Sequence, residues 1–299
     1  MSFLSRIFEC NDFHESGLRP FYAAGRQVGW VSDSCLCFIR QHPSVFEIGE
    51  STIGISRRLN TYSMRTAAIR EVTKSLVRCG AVSVLSGEDC IVKENPQSEP
   101  LLQMDRSCVS YFGICGFGVH LNGYVRSPTG LQMWIAQRST TRESFPGQFD
   151  NVVAGGQPAG LTIAQTLVKE CGEEAGIPIE LANRAVFCGN VSYRTRKIDG
   201  VKASVLACYD LEIPAGFIPT CNDDEVERFY LWPIEHVVEV VRDTMSFKFN
   251  CNLVIIDFLV RHGVIGKSDR DYTRIVEGLK GPFDGQVVRT RYTTPGVST

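Results

Sequence analysis

A glycine-rich turn followed by an acidic helix, at residues 155–177, constrains the fold of this chain more than any other segment. Thr162 and Gln165 are spaced as a capping box, which predicts that a helix begins at Ile163. Gly176 is the residue type that commonly ends a helix, because it tolerates a left-handed backbone. The segment therefore predicts a loop and then a helix with a defined start and end.

Three glutamates share one side of this predicted helix. Glu170, Glu173 and Glu174 are three and four residues apart, so at about 100° per residue they occupy an arc roughly 100° wide. Each like-charge pair at this spacing costs the helix roughly a few tenths of a kcal/mol, which a divalent cation would relieve. Mg²⁺ prefers a few carboxylate oxygens completed by water and substrate phosphates. The carboxylates alone leave two interpretations open, a metal site and a solvated acidic face.

The residues around the glutamates closely resemble the Nudix box, Gly-x5-Glu-x7-Arg-Glu-apolar-x-Glu-Glu-x-Gly-apolar. The matching residues are Gly155, Glu170, Cys171, Glu173, Glu174, Gly176 and Ile177. Leu161 and Lys169 depart from the pattern, because they stand where it has Glu and Arg. The resemblance implies an α/β fold, the Nudix α/β/α sandwich with a mixed sheet. It also implies that Glu170, Glu173 and Glu174 hold Mg²⁺, with Mn²⁺ as a possible substitute.

Flanking segments resemble one branch of this family, the branch related to the Nudix region of thiamine pyrophosphokinase proteins. These segments are Arg138-Ser139, Phe145-Pro146-Gly147, Asp150-Asn151 and Asp223–Val226. The resemblance covers roughly residues 15 to 265 and includes an N-terminal domain that accompanies this branch. It implies hydrolysis of thiamine diphosphate, or of its oxidised or damaged analogues, to the monophosphate.

The same resemblance supplies candidates for the general base. A carboxylate has to take a proton from the attacking water, and Glu174 and Glu225 are the two candidates. Glu227 is the runner-up, because it follows two residues later on the same face of a predicted strand. The sequence does not decide between Glu174 and Glu225.

Three arginines are candidates for substrate binding. Arg138 leaves a predicted strand toward the cleft, where a guanidinium can contact a phosphate. Arg194 and Arg196 belong to a predicted basic loop, 194–202, whose charges can gather a diphosphate. A solvated strand end and a solvated hairpin tip are the respective alternatives.

The length of 299 residues predicts two domains. We expect a small α+β N-terminal accessory domain at 1–108, the Nudix domain at 109–265, and a short helix with a mobile tail at 266–299. A polar segment with two prolines, 94–100, is the best linker candidate. Before it, 81–85 and 90–93 read as a closing hairpin, and after it Asn122-Gly123 reads as a turn or bulge.

Composition limits the partners. A net charge of −2 argues against a nucleic-acid or membrane-surface partner. The chain lacks the run of about 18 apolar residues that a membrane-spanning helix needs. Its 12 cysteines lack paired CxxC clusters, so we expect mostly reduced core residues in a cytoplasmic protein. The expected partner is a small-molecule diphosphate substrate, with a homodimer possible.

Three alternative functions remain open at this point. A nucleotide-sugar or dinucleotide diphosphatase would use the same metal site. A catalytically silent Nudix-fold binding module is favoured by the departures at Leu161 and Lys169. Isopentenyl diphosphate isomerase, another Nudix-fold enzyme, needs a cysteine in the strand region just before the box, and residues 149–155 contain none.

Overall fold

The computed structural model describes residues 2–198 and 200–283. Helix α1 (Phe3–Cys10) opens the chain, and Ser2 and Ser5 cap it reciprocally. Strands β1 (Leu18–Ala23) and β2 (Arg26–Ser32) follow and pair in antiparallel fashion. The expected C-terminal tail lies outside the described residues from position 284 onward.

The N-terminal unit is built on a four-stranded sheet with the order β2-β1-β4-β3. Its remaining elements are α2 (Leu36–Ile39), β3 (Phe46–Ile48), β4 (Ile53–Ile55) and α3 (Tyr62–Arg78). Thr61 caps α3 as the sequence predicts, since its hydroxyl accepts the N–H of Met64 at 3.2 Å. The core of this unit extends to Phe112 and Ile114, which is beyond the expected boundary at 108.

The predicted closing hairpin is wrong. Strand β5 (Asp89–Val92) pairs with β6 (Leu102–Asp105), while residues 81–85 form no strand and are largely exposed. Burial explains the difference, because Leu102 and Met104 fill the N-terminal core. The expected linker at 94–100 is therefore the connection inside this hairpin and does not separate two domains.

The second unit is an α/β/α sandwich on a seven-stranded mixed sheet, as the sequence predicts. The main strand order is β11-β12-β7-β8-β13, with β10 paired to β7 and β9 paired to β8. Strands β12 and β7 are parallel, while the other pairs in this sheet are antiparallel. The elements are β7 (Cys115–Ser127), β8 (Gly130–Arg138), β9 (Phe149–Asn151), β10 (Val153–Gly156), α4 (Ile163–Ala175), α5 (Ile179–Ala182), β11 (Val186–Lys197), β12 (Gly200–Glu212), β13 (Val226–Pro233), α6 (Ile234–Asp243) and α7 (Cys251–Arg261).

Asn122-Gly123 is not a turn. Strand β7 runs unbroken through both residues, and Gly123 pairs with Leu211 of β12. The Asn122 amide donates to Asp210 at 3.0 Å inside the sandwich. The turn to β8 comes later, between Ser127 and Gly130.

Helix α1 packs on the second unit although it opens the chain. Its buried residues Phe3, Leu4 and Ile7 share one apolar cluster with α7 and with helix α8 (Tyr272–Gly278). The buried Arg6 donates through Nε to the Val241 carbonyl at 3.0 Å. Val241 is 235 residues from Arg6 in sequence, so no local pattern identifies this contact. Among the described residues, no helix is both long enough and apolar enough to span a membrane.

Ile7→Ala should test this docking of α1. Ile7 is 1% exposed, and its truncation should lower the free energy of unfolding by about 3 kcal/mol, the usual range for a buried isoleucine. The neighbouring Phe8 is 57% exposed, so Phe8→Ala should change stability by less than about 0.5 kcal/mol. Urea unfolding measures both variants. Equal effects would mean that α1 does not dock as described.

Candidate functional site

The acidic helix starts and ends where the sequence predicts. Thr162 and Gln165 form the capping box of α4, and Gly176 adopts a left-handed φ of 61° beyond its last turn. Leu167 and Cys171 face the core. This orientation turns Glu170 and Glu174 toward strand β10.

Two of the three glutamates touch the backbone of β10. The carboxylate of Glu174 accepts the Ala154 N–H at 2.9 Å and is 6% exposed. The Glu170 carboxyl packs on Gly155 so closely that a Cβ there would lie 2.4 Å from its carboxyl carbon. Glu173 is the outward member, with a side chain 52% exposed. A side chain at position 155 would displace the Glu170 carboxyl group from this contact.

Glu225 joins these carboxylates from another part of the chain. It precedes β13, its N–H donates to Asp223 at 2.9 Å, and its carboxylate pairs with Arg142 at 2.8 Å. Glu225 and Glu173 also line a cavity of about 590 Å³. The structure thus brings Glu225 to the site, whereas Glu227 is exposed.

Burial and mutual repulsion make the carboxyl groups of Glu170 and Glu174 reluctant to ionise. Burial raises the pKa of Glu174 well above its ordinary value, and the negative charges of Asp150, Glu170 and Glu225 raise it further. The hydrogen bond from the Ala154 N–H lowers this pKa in part, because it stabilises the carboxylate. Burial also raises the pKa of Glu170, an effect that Lys169 opposes and that Glu173 and Glu225 reinforce. The site therefore has an excess of negative charge that a cation would relieve.

The chemistry of this donor set fits a hard divalent ion. The donors are carboxylate oxygens on neighbouring turns of α4, beside a glycine whose missing side chain leaves room for Glu170. Such oxygens, few in number and open to water, are what Mg²⁺ prefers. The Lys169 ammonium contacts Glu173 and lies 3.4 Å from Glu170, so a bound cation would compete with it.

A second cavity, of about 720 Å³, adjoins the acidic site. Residues 154–157 form part of its wall, which places it directly beside the Gly155 that Glu170 covers. The N-terminal unit contributes Arg106 and Tyr111, and the sandwich contributes Lys202 and Lys248. The volume and the mixed lining are typical of small-molecule sites.

Arg138 is a structural residue and not the phosphate ligand that the sequence suggested. Its Nη2 and Nε donate to the carbonyls of Ser144 and Phe145 at 2.9 and 3.2 Å. Its Nη1 pairs with Asp150 at 3.2 Å, and its side chain is 10% exposed. Asp150 fixes this loop, as expected, and Phe145 and Gly147 make the turn with positive φ.

Arg194 and Arg196 also serve a structural role. The predicted basic loop is wrong, because β11 continues to Lys197 and β12 resumes at Gly200. The Arg194 guanidinium lies over the Phe13 ring, 4.2 Å from its centroid. Arg196 donates through Nη1 to the carbonyls of His14 and Ser16. Both residues hold the N-terminal segment against β11. They do not form a diphosphate-binding site beside the glutamates.

Sequence reasoning missed Arg106 and Lys248 at the larger cavity. Arg106 lies in a 3₁₀ turn after β6, and Lys248 lies in the loop before α7. Neither carries a motif, and only the folded chain brings them to the β10 loop. Lys202 belonged to the predicted basic loop, but Arg194 and Arg196 of that loop contact the N-terminal segment.

Three buried side chains of metal-ligand type meet behind this cavity. Among the described residues, ligand atoms of His120, Asp150 and Cys251 lie within 4.8 Å of one another. Lys248 and Arg138 already neutralise Asp150, at 3.0 and 3.2 Å. Burial lowers the pKa of His120 to about 4 and raises the pKa of Cys251 well above its ordinary value. A metal ion bound here would lie next to the positive charges of Lys248 and Arg138 and next to a protonated thiol. We therefore interpret His120, Asp150 and Cys251 as part of a structural network.

The cysteines form no disulfide in the described part of the chain, which contains all 12 of them. Cys108, Cys171 and Cys208 are among the buried ones, whereas Cys79 is exposed.

Comparison with known proteins identifies the family. Residues 121–248 match the NUDIX domain family, and residues 2–116 match a domain of unknown function, DUF4743. Nudix hydrolase 24, chloroplastic, of Arabidopsis thaliana is 36% identical over 282 residues, covering 93% of this chain and 77% of that protein. Nudix hydrolase 20, chloroplastic, of the same plant is 36% identical over 289 residues, with the same coverage. The chain belongs to the Nudix hydrolase family, whose members act on diphosphate linkages.

A solved structure is also similar over part of the chain. The NUDIX domain of Shewanella oneidensis NrtR, complexed with ADP ribose, aligns with a TM-score of 0.39 and 17% identity. The alignment covers 49% of this chain and 88% of that one.

Asp150→Asn should destabilise the protein by about 3 kcal/mol, because Arg138 and Lys248 would be left buried without a counter-charge. Chemical unfolding at neutral pH measures the loss. The matched control is Asp243→Asn at the exposed Arg242 pair, where little change is expected. Similar losses of stability in both variants would contradict the role of Asp150 as the counter-charge of Arg138 and Lys248.

The same carboxylate predicts a pH dependence. Burial alone would raise the pKa of Asp150, but Lys248 and its other partners lower it from 3.8 to about 2. Because the folded-state pKa is below the unfolded value, Asp150 stabilises the protein fully above about pH 4. That contribution, about 2 kcal/mol, should vanish as the pH falls through about 2. Acid unfolding of wild type and Asp150→Asn should therefore converge near pH 2.

Proposed function

We propose that this chain hydrolyses the diphosphate linkage of a small organic diphosphate to give a monophosphate. The observation that carries the proposal is that Glu174 and Glu170 meet the β10 backbone at residues 154 and 155, which also line a cavity of about 720 Å³. Burial raises the pKa of both glutamates, and Glu225, from the segment before β13, raises it further. A solvated acidic face would not bury Glu174.

In this proposal Glu170, Glu173 and Glu174 hold Mg²⁺, and Mn²⁺ can replace it. The bound ion neutralises diphosphate oxygens and lowers the pKa of water. Glu174 is held against the Ala154 N–H, which suits a fixed ligand. Glu225 is partly exposed next to this group, which suits the acceptance of a proton from water. Lys202 lines the larger cavity and supplies positive charge for an anionic substrate, whereas the charge of Lys248 is already paired with Asp150.

The finer proposal is that the substrate is thiamine diphosphate or an oxidised or damaged analogue of it. Its support is the resemblance of the segments at 138–151 and 223–226 to the thiamine-related branch. A nucleotide-sugar or dinucleotide diphosphatase would use the same carboxylates, so a substrate comparison has to separate the two. Membership of a hydrolase family argues against the catalytically silent module. The cytoplasmic location and the homodimer stay predictions.

A hydrolysis screen with Mg²⁺, in which the monophosphate products are separated by chromatography, tests the substrate class. Thiamine diphosphate and oxothiamine diphosphate should be hydrolysed with a higher kcat/KM than ADP-ribose or NADH. A preference for ADP-ribose or NADH would replace the thiamine assignment with the dinucleotide alternative. No turnover of any of the four at millimolar Mg²⁺ would overturn the proposal.

Single glutamine substitutions should separate the roles of the carboxylates. Glu173→Gln should abolish turnover and weaken Mn²⁺ binding while the protein stays folded. Glu225→Gln should retain Mn²⁺ binding and lower kcat by about 10²–10⁴-fold, the usual contribution of a general base. Glu180→Gln, on the exposed face of α5, is the matched control and should resemble wild type. Full activity of Glu173→Gln would rule out the metal assignment.

A further inference from the structure

The loop that precedes the glutamate helix has no charge of its own. Residues 155–162, Gly-Gly-Gln-Pro-Ala-Gly-Leu-Thr, contain no ionisable side chain and comprise the last two residues of β10 and its connection to α4. Lys169 pairs with Glu170 and Glu173 on its own helix and does not brace this loop. Any charged group that fixes the loop therefore has to come from elsewhere in the chain.

Arg106 of the N-terminal unit reaches this loop. Its Nη2 donates to the Gly156 carbonyl at 3.1 Å and pairs with Glu88 at 3.0 Å. The guanidinium lies flat against Gly156, because a Cβ on that residue would be 3.0 Å from its Cζ, Nη1 and Nη2. A second contact holds the far side of the loop, where the Ala159 N–H donates to the Asp89 carbonyl at 2.8 Å. The N-terminal unit thus forms hydrogen bonds with the loop at two residues, Gly156 and Ala159.

Gly156, which binds Arg106, is next in sequence to Gly155, which the Glu170 carboxyl covers. Gly156 bonds with Arg106, Gly155 packs on the Glu170 carboxyl, and Ala154 donates to Glu174. A shift of Gly156 by a fraction of an ångström would therefore move the backbone that two carboxylates rest on. Partners that hold a metal site from outside in this way commonly control metal affinity.

We propose that Arg106 is a positioning residue of the metal site, supplied by the N-terminal unit and oriented by Glu88. The inference rests on the proposed function, since it takes the glutamates of α4 as metal ligands. Arg106 acts through the Gly156 carbonyl and needs no contact with the reacting atoms. The N-terminal unit is on this account a part of the active site.

Mn²⁺ binding without substrate, followed by electron paramagnetic resonance, tests the inference directly. Arg106→Ala should raise the Kd for Mn²⁺ and lower kcat by about tenfold or more, as for other residues that support metal ligands. Added guanidinium ion should restore part of both. Arg106→Lys should fall in between, because an ammonium keeps the charge but lacks the planar fork. Arg126→Ala is the matched control, since Arg126 is 59% exposed in a surface pair with Glu212.

The outcomes separate this inference from the proposed function. Unchanged Mn²⁺ affinity and kcat in Arg106→Ala, with an active wild type, would overturn the inference alone. A wild type that neither binds Mn²⁺ nor hydrolyses a diphosphate would overturn both. If Arg106→Ala does not fold, Arg106→Lys and Glu88→Gln decide: wild-type Mn²⁺ affinity in both would overturn the inference, and weakened affinity would support it.

Discussion

The contact between helix α4 and strand β10 is the constraint on which the site depends. Glu174 receives the Ala154 N–H, and Glu170 occupies the space that a side chain at Gly155 would need. Burying a carboxylate is costly unless it is paired or coordinates a metal. One backbone N–H offsets only part of that cost for Glu174, whose pKa remains raised. The unfavourable burial of negative charge at this contact is the physical reason to assign a cation to it.

The N-terminal unit and the sandwich are joined by more than a linker. Helix α1 completes the apolar cluster of α7 and α8, and Arg196 on β11 holds the segment that follows α1. The larger cavity is lined by residues of both units. The domain boundary that the sequence suggested at residue 108 therefore cuts through the N-terminal core, and residues from both sides of it line the cavity. A chain built this way has an accessory unit that can shape its substrate site.

Local signals made much of the structure predictable. The capping box at Thr162, the C-cap at Gly176 and the i, i+3, i+4 spacing of the glutamates all act within one helix, so the sequence displays them directly. The failures involve distant partners. β5 pairs with β6 across a proline-containing connection that looked like a linker. Arg138 and Arg194 are cations whose carbonyl or aromatic partners appear only on folding, so their charge suggested phosphate binding. Arg106 gave no signal, because its partner is a backbone carbonyl 50 residues away.

A crystal of the protein grown with Mn²⁺ gives the most direct test of the central claim. Anomalous scattering at the manganese edge should place the ion among the carboxylates of Glu170, Glu173 and Glu174, with Lys169 displaced from Glu173. A single peak between His120, Asp150 and Cys251, with none at the glutamates, would contradict the account.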